Sequence, residues 1–160
     1  MSGMIQVSAG ALAVGKSPDV LTAYGLGSCV AIILYDEVVK VGGLSHFILP
    51  SPAVSRDHTN PGKFPHTSVR LVLSEMEKLG AKKYRVVARL VGGATMFPTF
   101  ETNSPSIGTR NVDSAREVLS QEEIRVTAED VGGTYARTVE FYLESGEVLI
   151  KSYQAGEKTL

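Results

Sequence analysis

The sequence has no tryptophan and only one cysteine, Cys29, in 160 residues. One thiol excludes an intramolecular disulfide and a multi-cysteine metal site. Neither charge sign is in excess: 16 Lys and Arg against 17 Asp and Glu leave a formal net charge of -1, which excludes a basic nucleic-acid coat. No apolar run approaches the roughly 18 to 20 residues of a membrane span. The N-terminal Met1-Ser2-Gly3-Met4 lacks the basic stretch and apolar core of an export signal, so a cytoplasmic protein without membrane insertion is expected. A strict repeat is also missing. Val-Gly-Gly occurs at 41–43, 91–93 and 131–133, but the unequal spacing excludes a solenoid. What is present, 43% hydrophobic and 21% charged residues, describes an ordinary globular chain, and its length predicts a single domain over 1–160.

Short apolar or β-branched runs at residues 4–9, 20–24, 29–35 and 38–49 read as strands, with a tight hairpin expected at Asp36-Glu37. Residues 50–65 carry Pro50, Pro52, Pro61 and Pro65 among polar residues and read as one long loop, a candidate substrate-facing lid. Val69, Val72, Leu73, Met76 and Leu79 then fall at helical spacing before Gly80. A strand is predicted over 83–91. A second helix is predicted over 111–121, with Asn111 as its cap and Val112, Ala115, Val118 and Leu119 as its apolar stripe. Strands at 124–131, 137–143 and 148–153 close the chain. About eight strands grouped apart from two main helices predict an α+β fold of mixed, largely antiparallel sheet and argue against a doubly wound nucleotide fold.

The chemistry is concentrated around Gly25-Leu26-Gly27-Ser28-Cys29. Glycines at alternate positions permit a sharp turn and leave backbone N–H groups at Gly27 and Ser28 uncovered, as an oxyanion site requires. The alternative for Cys29 is a small buried hydrophobe at the start of a strand. His46 follows seventeen residues later, across the hairpin, where an imidazole could take the proton of a thiol nucleophile; the alternative is a hydrogen-bonded histidine at a strand end. His58 and His66 fit no standard metal-ligand spacing and read as solvated loop residues. Thr22, Ser28, Thr95 and Asp130 each carry an oxygen able to orient the imidazole, and spacing does not choose among them. The Gly-rich segments 92–97 and 128–134 read as strand exits with tight turns.

Together, Gly25-Leu26-Gly27-Ser28-Cys29-Val30, Lys40-Val41-Gly42-Gly43-Leu44-Ser45-His46 with Leu49-Pro50, Gly92-Gly93-Ala94-Thr95-Met96-Phe97, Ile107-Gly108-Thr109-Arg110-Asn111-Val112 and Ala128-Glu129-Asp130-Val131-Gly132-Gly133-Thr134 resemble the CheD family of chemoreceptor glutamine deamidases. The resemblance implies hydrolysis of glutamine side chains on the cytoplasmic helices of chemoreceptors through a cysteine thioester, with Cys29 and His46 catalytic and no metal or organic cofactor. It implies location at receptor arrays and a CheC-type phosphatase as partner, the alternative being an adaptor for that phosphatase. Phe47, Gly92, Gly93 and Thr95 are the expected substrate or partner surface. The family's third residue is a threonine six positions before the cysteine. Ala23 stands there in this chain and Thr22, the candidate third catalytic residue, one position upstream. In an unbroken strand that step turns Thr22 to the other face, so either a local bulge restores it, another group orients His46, or the protein is a weak deamidase.

Overall fold

The computed structural model describes residues 3–98 and 105–160. Among them are β1 (Met4–Gln6), β2 (Leu12–Lys16), β3 (Val20–Leu26), β4 (Val30–Asp36), β5 (Val41–Phe47), α1 (Pro65–Lys78), β6 (Val87–Gly92), α2 (Ile107–Gln121), β7 (Arg125–Val131), β8 (Arg137–Tyr142), β9 (Val148–Ser152) and β10 (Gly156–Thr159). They form two five-stranded sheets. The outer sheet runs β1-β3-β8-β9-β10 and the inner one β2-β5-β4-β6-β7. Most pairings are antiparallel, with β1 parallel to β3 and β6 parallel to β7. The expected α+β class with mixed, largely antiparallel sheet and two main helices is the one observed.

The inner sheet is the middle of three layers. Val30, Ile32 and Leu34 of β4 join Val69, Val72 and Met76 of α1 and Val112, Ala115 and Leu119 of α2 in one core. Ala31, Ile33 and Tyr35 face the other way and join Leu21 and Ala23 of β3 with Val139 and Phe141 of β8 in a second. This explains why β4 is apolar at nearly every position: a central strand covered on both faces has no polar side to show. Each fully buried large side chain in these cores stabilises the fold by about 1.5–3 kcal/mol.

The two glycines within β5 permit this layering. A Cβ at Gly42 would meet Leu143 and Phe141 on the outer-sheet side, and one at Gly43 would fall inside the Val72 side chain of α1. Buried between β5 and α1, the hydroxyls of Ser45 and Ser68 bond to each other.

The structure corrects several sequence-based boundaries. The run at 4–9 is a strand only to Gln6; the chain then bends and forms β2, which the weak apolar pattern of Leu12-Ala13-Val14-Gly15-Lys16 did not announce. β10 is exposed at all four residues, so it too lacks a hydrophobic signature. Lys83–Arg85 is a 3₁₀ turn, and β6 starts only at Val87. The β4–β5 turn takes residues 37–40, with Lys40 at φ 53°, so Val38, Val39 and Lys40 belong to the turn rather than to a strand. α2 begins at Ile107, where the Ser106 side chain accepts the Thr109 N–H as the cap. Asn111, expected as the cap, lies inside the helix and bonds elsewhere.

Candidate active site

The site lies at the end of the inner sheet where β4 begins and β5 ends. Residues 31, 33 and 35 of β4 face the outer sheet, and Cys29 continues that parity, packing against the core between the sheets. On β5, Leu44 and Gly42 share this face, and His46, two residues beyond Leu44, shares it as well. His46 stands directly opposite Ala31 in the register. Cys29 and His46 are therefore diagonal neighbours on one face of an antiparallel pair, with backbones about 7–8 Å apart, a separation that the side chains can bridge.

The segment Gly27-Ser28-Cys29 is held by three carbonyls in succession. Gly27 O accepts the Ala94 N–H at 2.8 Å, Ser28 O accepts the Asn111 side-chain amide at 2.8 Å, and Cys29 O accepts the Gly93 N–H at 2.8 Å. Gly92, at φ 114°, sits so close beneath that a Cβ there would overlap the Cys29 carbonyl. Gly93 is equally constrained by Val112 and the Gly108 carbonyl of α2. With these carbonyls turned inward, no acceptor among the described residues takes the N–H groups of Gly27 and Ser28. Met96 lies over Gly27, its Cγ 3.2 Å from where a Cβ would stand, and Phe97 beyond it is 66% exposed.

His46 is 3% exposed. Its Nδ1 lies 2.8 Å from the Val7 carbonyl. A carbonyl can only accept, so Nδ1 carries the hydrogen and the neutral ring keeps its lone pair on Nε2. The Val7 N–H in turn donates to Thr22 O at 2.7 Å. Burial pulls the His46 pKa below its ordinary value, with the Val7 bond opposing. Burial pushes the half-buried Cys29 thiol up, with its own backbone N–H opposing. Both shifts favour the uncharged forms, a thiol at Cys29 and a neutral imidazole at His46.

Other sequence-predicted residues take different places. Leu21 and Ala23 face the core between the sheets, so Thr22 between them faces away; its hydroxyl donates to Ile5 O at 3.4 Å. Its backbone carbonyl, through Val7, is its link to His46. Ser28 contributes its carbonyl to Asn111. Phe47 is fully buried in the helix-side core, so its side chain is not part of a surface. Gly92 and Gly93 are buried supports of the Cys29 turn, and the Thr95 hydroxyl bonds Ser106 at the start of α2 at 2.8 Å. Asp130 pairs with Arg137 at 3.2 Å, and Arg137 also donates to Gly132 O at 2.8 Å. That pair braces the 132–133 turn, which accepts the Thr95 N–H through Gly133 O.

His58 Nε2 lies 2.7 Å from Ser55 O within the 50–65 loop. The loop is pinned where Lys63 O accepts the Ile48 and Leu49 N–H groups. Among the described residues no helix is long and apolar enough to cross a membrane. Two partners of the site gave no recognisable sequence signal. Val7 acts through its backbone, and Asn111 read as a helix cap.

A thiol on a glycine turn and an imidazole with its Nε2 lone pair free share one face of a sheet end, a pairing able to support acyl-transfer chemistry, here carried on a helix–sheet–sheet framework. Comparison with known proteins is more particular. The family model described as CheD chemotactic sensory transduction matches residues 48–152, and the chain belongs to the CheD family. It is 44% identical over 157 residues to the probable chemoreceptor glutamine deamidase CheD of Pyrococcus abyssi, covering 98% of this chain and 96% of the relative. It is 40% identical over 152 residues to the chemoreceptor glutamine deamidase CheD of Thermotoga maritima, covering 95% and 94%. The corresponding Methanococcus vannielii protein, also named probable, is 44% identical over 148 residues, with 92% and 94% covered.

Proposed function

We propose that this protein deamidates glutamine side chains of chemoreceptors, with Cys29 as nucleophile and His46 as its base. The relatives' names support the activity. The observation that carries the residue assignment is the shared face of Cys29 and His46, with the imidazole held by Val7 O so that Nε2 is left to act.

Nε2 takes the thiol proton as sulfur attacks the carboxamide carbon of the glutamine. The negative charge formed on the carbonyl oxygen is met by the free N–H groups of Gly27 and Ser28. The imidazolium then returns the proton to the departing nitrogen, ammonia leaves, and an acyl thioester remains. Water, deprotonated by the same imidazole, attacks the thioester, and the thiol is restored as glutamate forms. Each turnover consumes one amide and one water and yields one carboxylic acid and one ammonia.

Cys29→Ala is the direct test. Incubated with a receptor cytoplasmic fragment, the wild type is expected to add about one mass unit per converted glutamine while the variant adds none; conversion by the folded variant at the wild-type rate would refute the assignment. Exposed Phe97 and Met96 at the mouth of the site favour a second role, docking of a CheC-type phosphatase. Cys29→Ala is expected to retain that binding.

A further inference from the structure

Asn111 occupies an unusual place for an amide. It is fully buried within α2, one turn after the helix begins, on the apolar side that also carries Val112, Ala115 and Leu119. Its Nδ2 donates to Ser28 O at 2.8 Å and to Ile48 O at 3.1 Å. Ser28 immediately precedes the nucleophile, and Ile48 lies two residues after the imidazole. The two hydrogens of one amide thus join the segment entering β4 to the segment leaving β5, just beyond the last pair, Val30 with Phe47, and next to Cys29 and His46. Its orientation is fixed, because a flipped amide would set Oδ1 against two carbonyls.

Asn111 Oδ1 is buried and has no hydrogen-bond partner among the described residues. An apolar residue at this position would orphan the Ser28 and Ile48 carbonyls, so the side chain is held by the two acceptors it serves rather than by Oδ1. The polar side chain is therefore accounted for by what its donors hold in place. Neighbouring residues of α2 support the same framework without touching both segments. Gly108 lets the helix approach the Gly93 and Ala94 carbonyls, and the Ser114 hydroxyl donates to Pro50 O at 2.7 Å.

We propose that Asn111 is a positioning residue that sets the separation of Cys29 from His46 by clamping the Ser28 and Ile48 carbonyls with a single amide. The inference rests on the Cys29 and His46 reading above. Without the clamp the segments just beyond the last β4–β5 pair, Val30 with Phe47, lose the amide that ties them together, and a shift of about 1 Å between reacting groups lowers a rate by roughly 100-fold.

The test follows alkylation of Cys29, the chain's only thiol, by iodoacetamide across pH, together with kcat and KM on a receptor fragment. Wild type, His46→Gln, Asn111→Asp and Ser114→Ala are compared, each checked for a cooperative melt. Asn111→Asp keeps the shape but offers at most one O–H donor in place of two N–H donors, so it cannot hold both carbonyls. It is expected to lower kcat by about 10- to 100-fold with KM within about twofold, and to shift the alkylation profile onto that of His46→Gln. Ser114→Ala, a loss of one α2 bond of similar kind, is expected to leave both readouts at wild type. A folded Asn111→Asp that keeps the wild-type kcat and profile overturns the clamp while leaving the Cys29 and His46 reading intact. Identical profiles for wild type and His46→Gln overturn both. If Asn111→Asp does not fold, Asn111→Ser, too short to span both carbonyls, is judged by the same two outcomes.

Discussion

The tripeptide Val-Gly-Gly at 41–43 and the same tripeptide at 91–93 do opposite jobs. In β5, neither Gly42 nor Gly43 needs a positive φ; they are glycine because the outer sheet presses on one and α1 on the other. At the end of β6, Gly92 and Gly93 have φ of 114° and 67°, end the strand, and lie against the Cys29 carbonyl and α2. The first pair sets the distance between layers, whereas the second sets the shape of the turn that carries the thiol. A third copy at 131–133 has φ of 81° and 70°, and a Cβ at Gly132 would meet open space. Identical local sequence therefore separates into packing, site support and plain turn formation.

Substitutions can break this separation in order of size. Gly43→Val forces α1 off the inner sheet, because Val72 already fills the space. It is expected to cost about 3 kcal/mol or more, a fall of roughly 10 °C in Tm by calorimetry, with kcat of the remaining folded protein little changed. Gly92→Ala adds a strained φ and a clash with backbone that cannot rotate away. About 2 kcal/mol of stability is expected to go, but the larger mark is a drop of roughly 100-fold in kcat/KM on receptor glutamine. If Gly92→Ala proves only less stable and equally active, the distinction between the two pairs fails. Gly132→Ala meets no atom, so only the strain of its positive φ remains, about 1 kcal/mol in a denaturant titration with activity intact.

A pH effect sharpens the comparison from the chemical side, and it is expected to be the smallest because a single group carries it. Burial holds the His46 pKa below 6.5 in the folded state. The unfolded chain therefore binds a proton that the folded chain refuses as pH falls below 6.5. Stability is greatest above that pH and is lost on the way down to the folded pKa. Wild-type Tm should decline over this window and His46→Gln should flatten the decline. Along the same reasoning kcat/KM should hold through pH 6.5 and fall only below it, since the imidazole must be neutral to act.

Much of the framework was legible in the chain. The i, i+3, i+4 pattern of Val69, Val72, Leu73 and Met76 marks α1, and the unbroken apolar run of β4 marks a strand covered on both faces. What escaped was exposed or borrowed structure. β10 has no buried residue to announce it, and β2 is held mainly by its pairing with β5. At the site, β3 does carry a register shift, but it falls between Ala23 and Leu26, so Ala23 stays inward and Thr22, a candidate catalytic residue had a bulge restored it, faces outward. The group that orients His46 instead was illegible: it is a backbone carbonyl, and every residue has one.

The sequence by itself determined the inventory and the local rules: one thiol, its glycine turn, a histidine across a hairpin, and the periodicities that bury one face of each element. Tertiary structure alone decided which of several oxygens holds the imidazole, that burial favours the uncharged form of both groups, and that an asparagine read as a helix cap joins the segments flanking Cys29 and His46. The physical reason is distance along the chain. Periodicity and turn chemistry act within a few residues, while the bonds from His46 to Val7 and from Asn111 to Ser28 and Ile48 exist only once separate layers have packed.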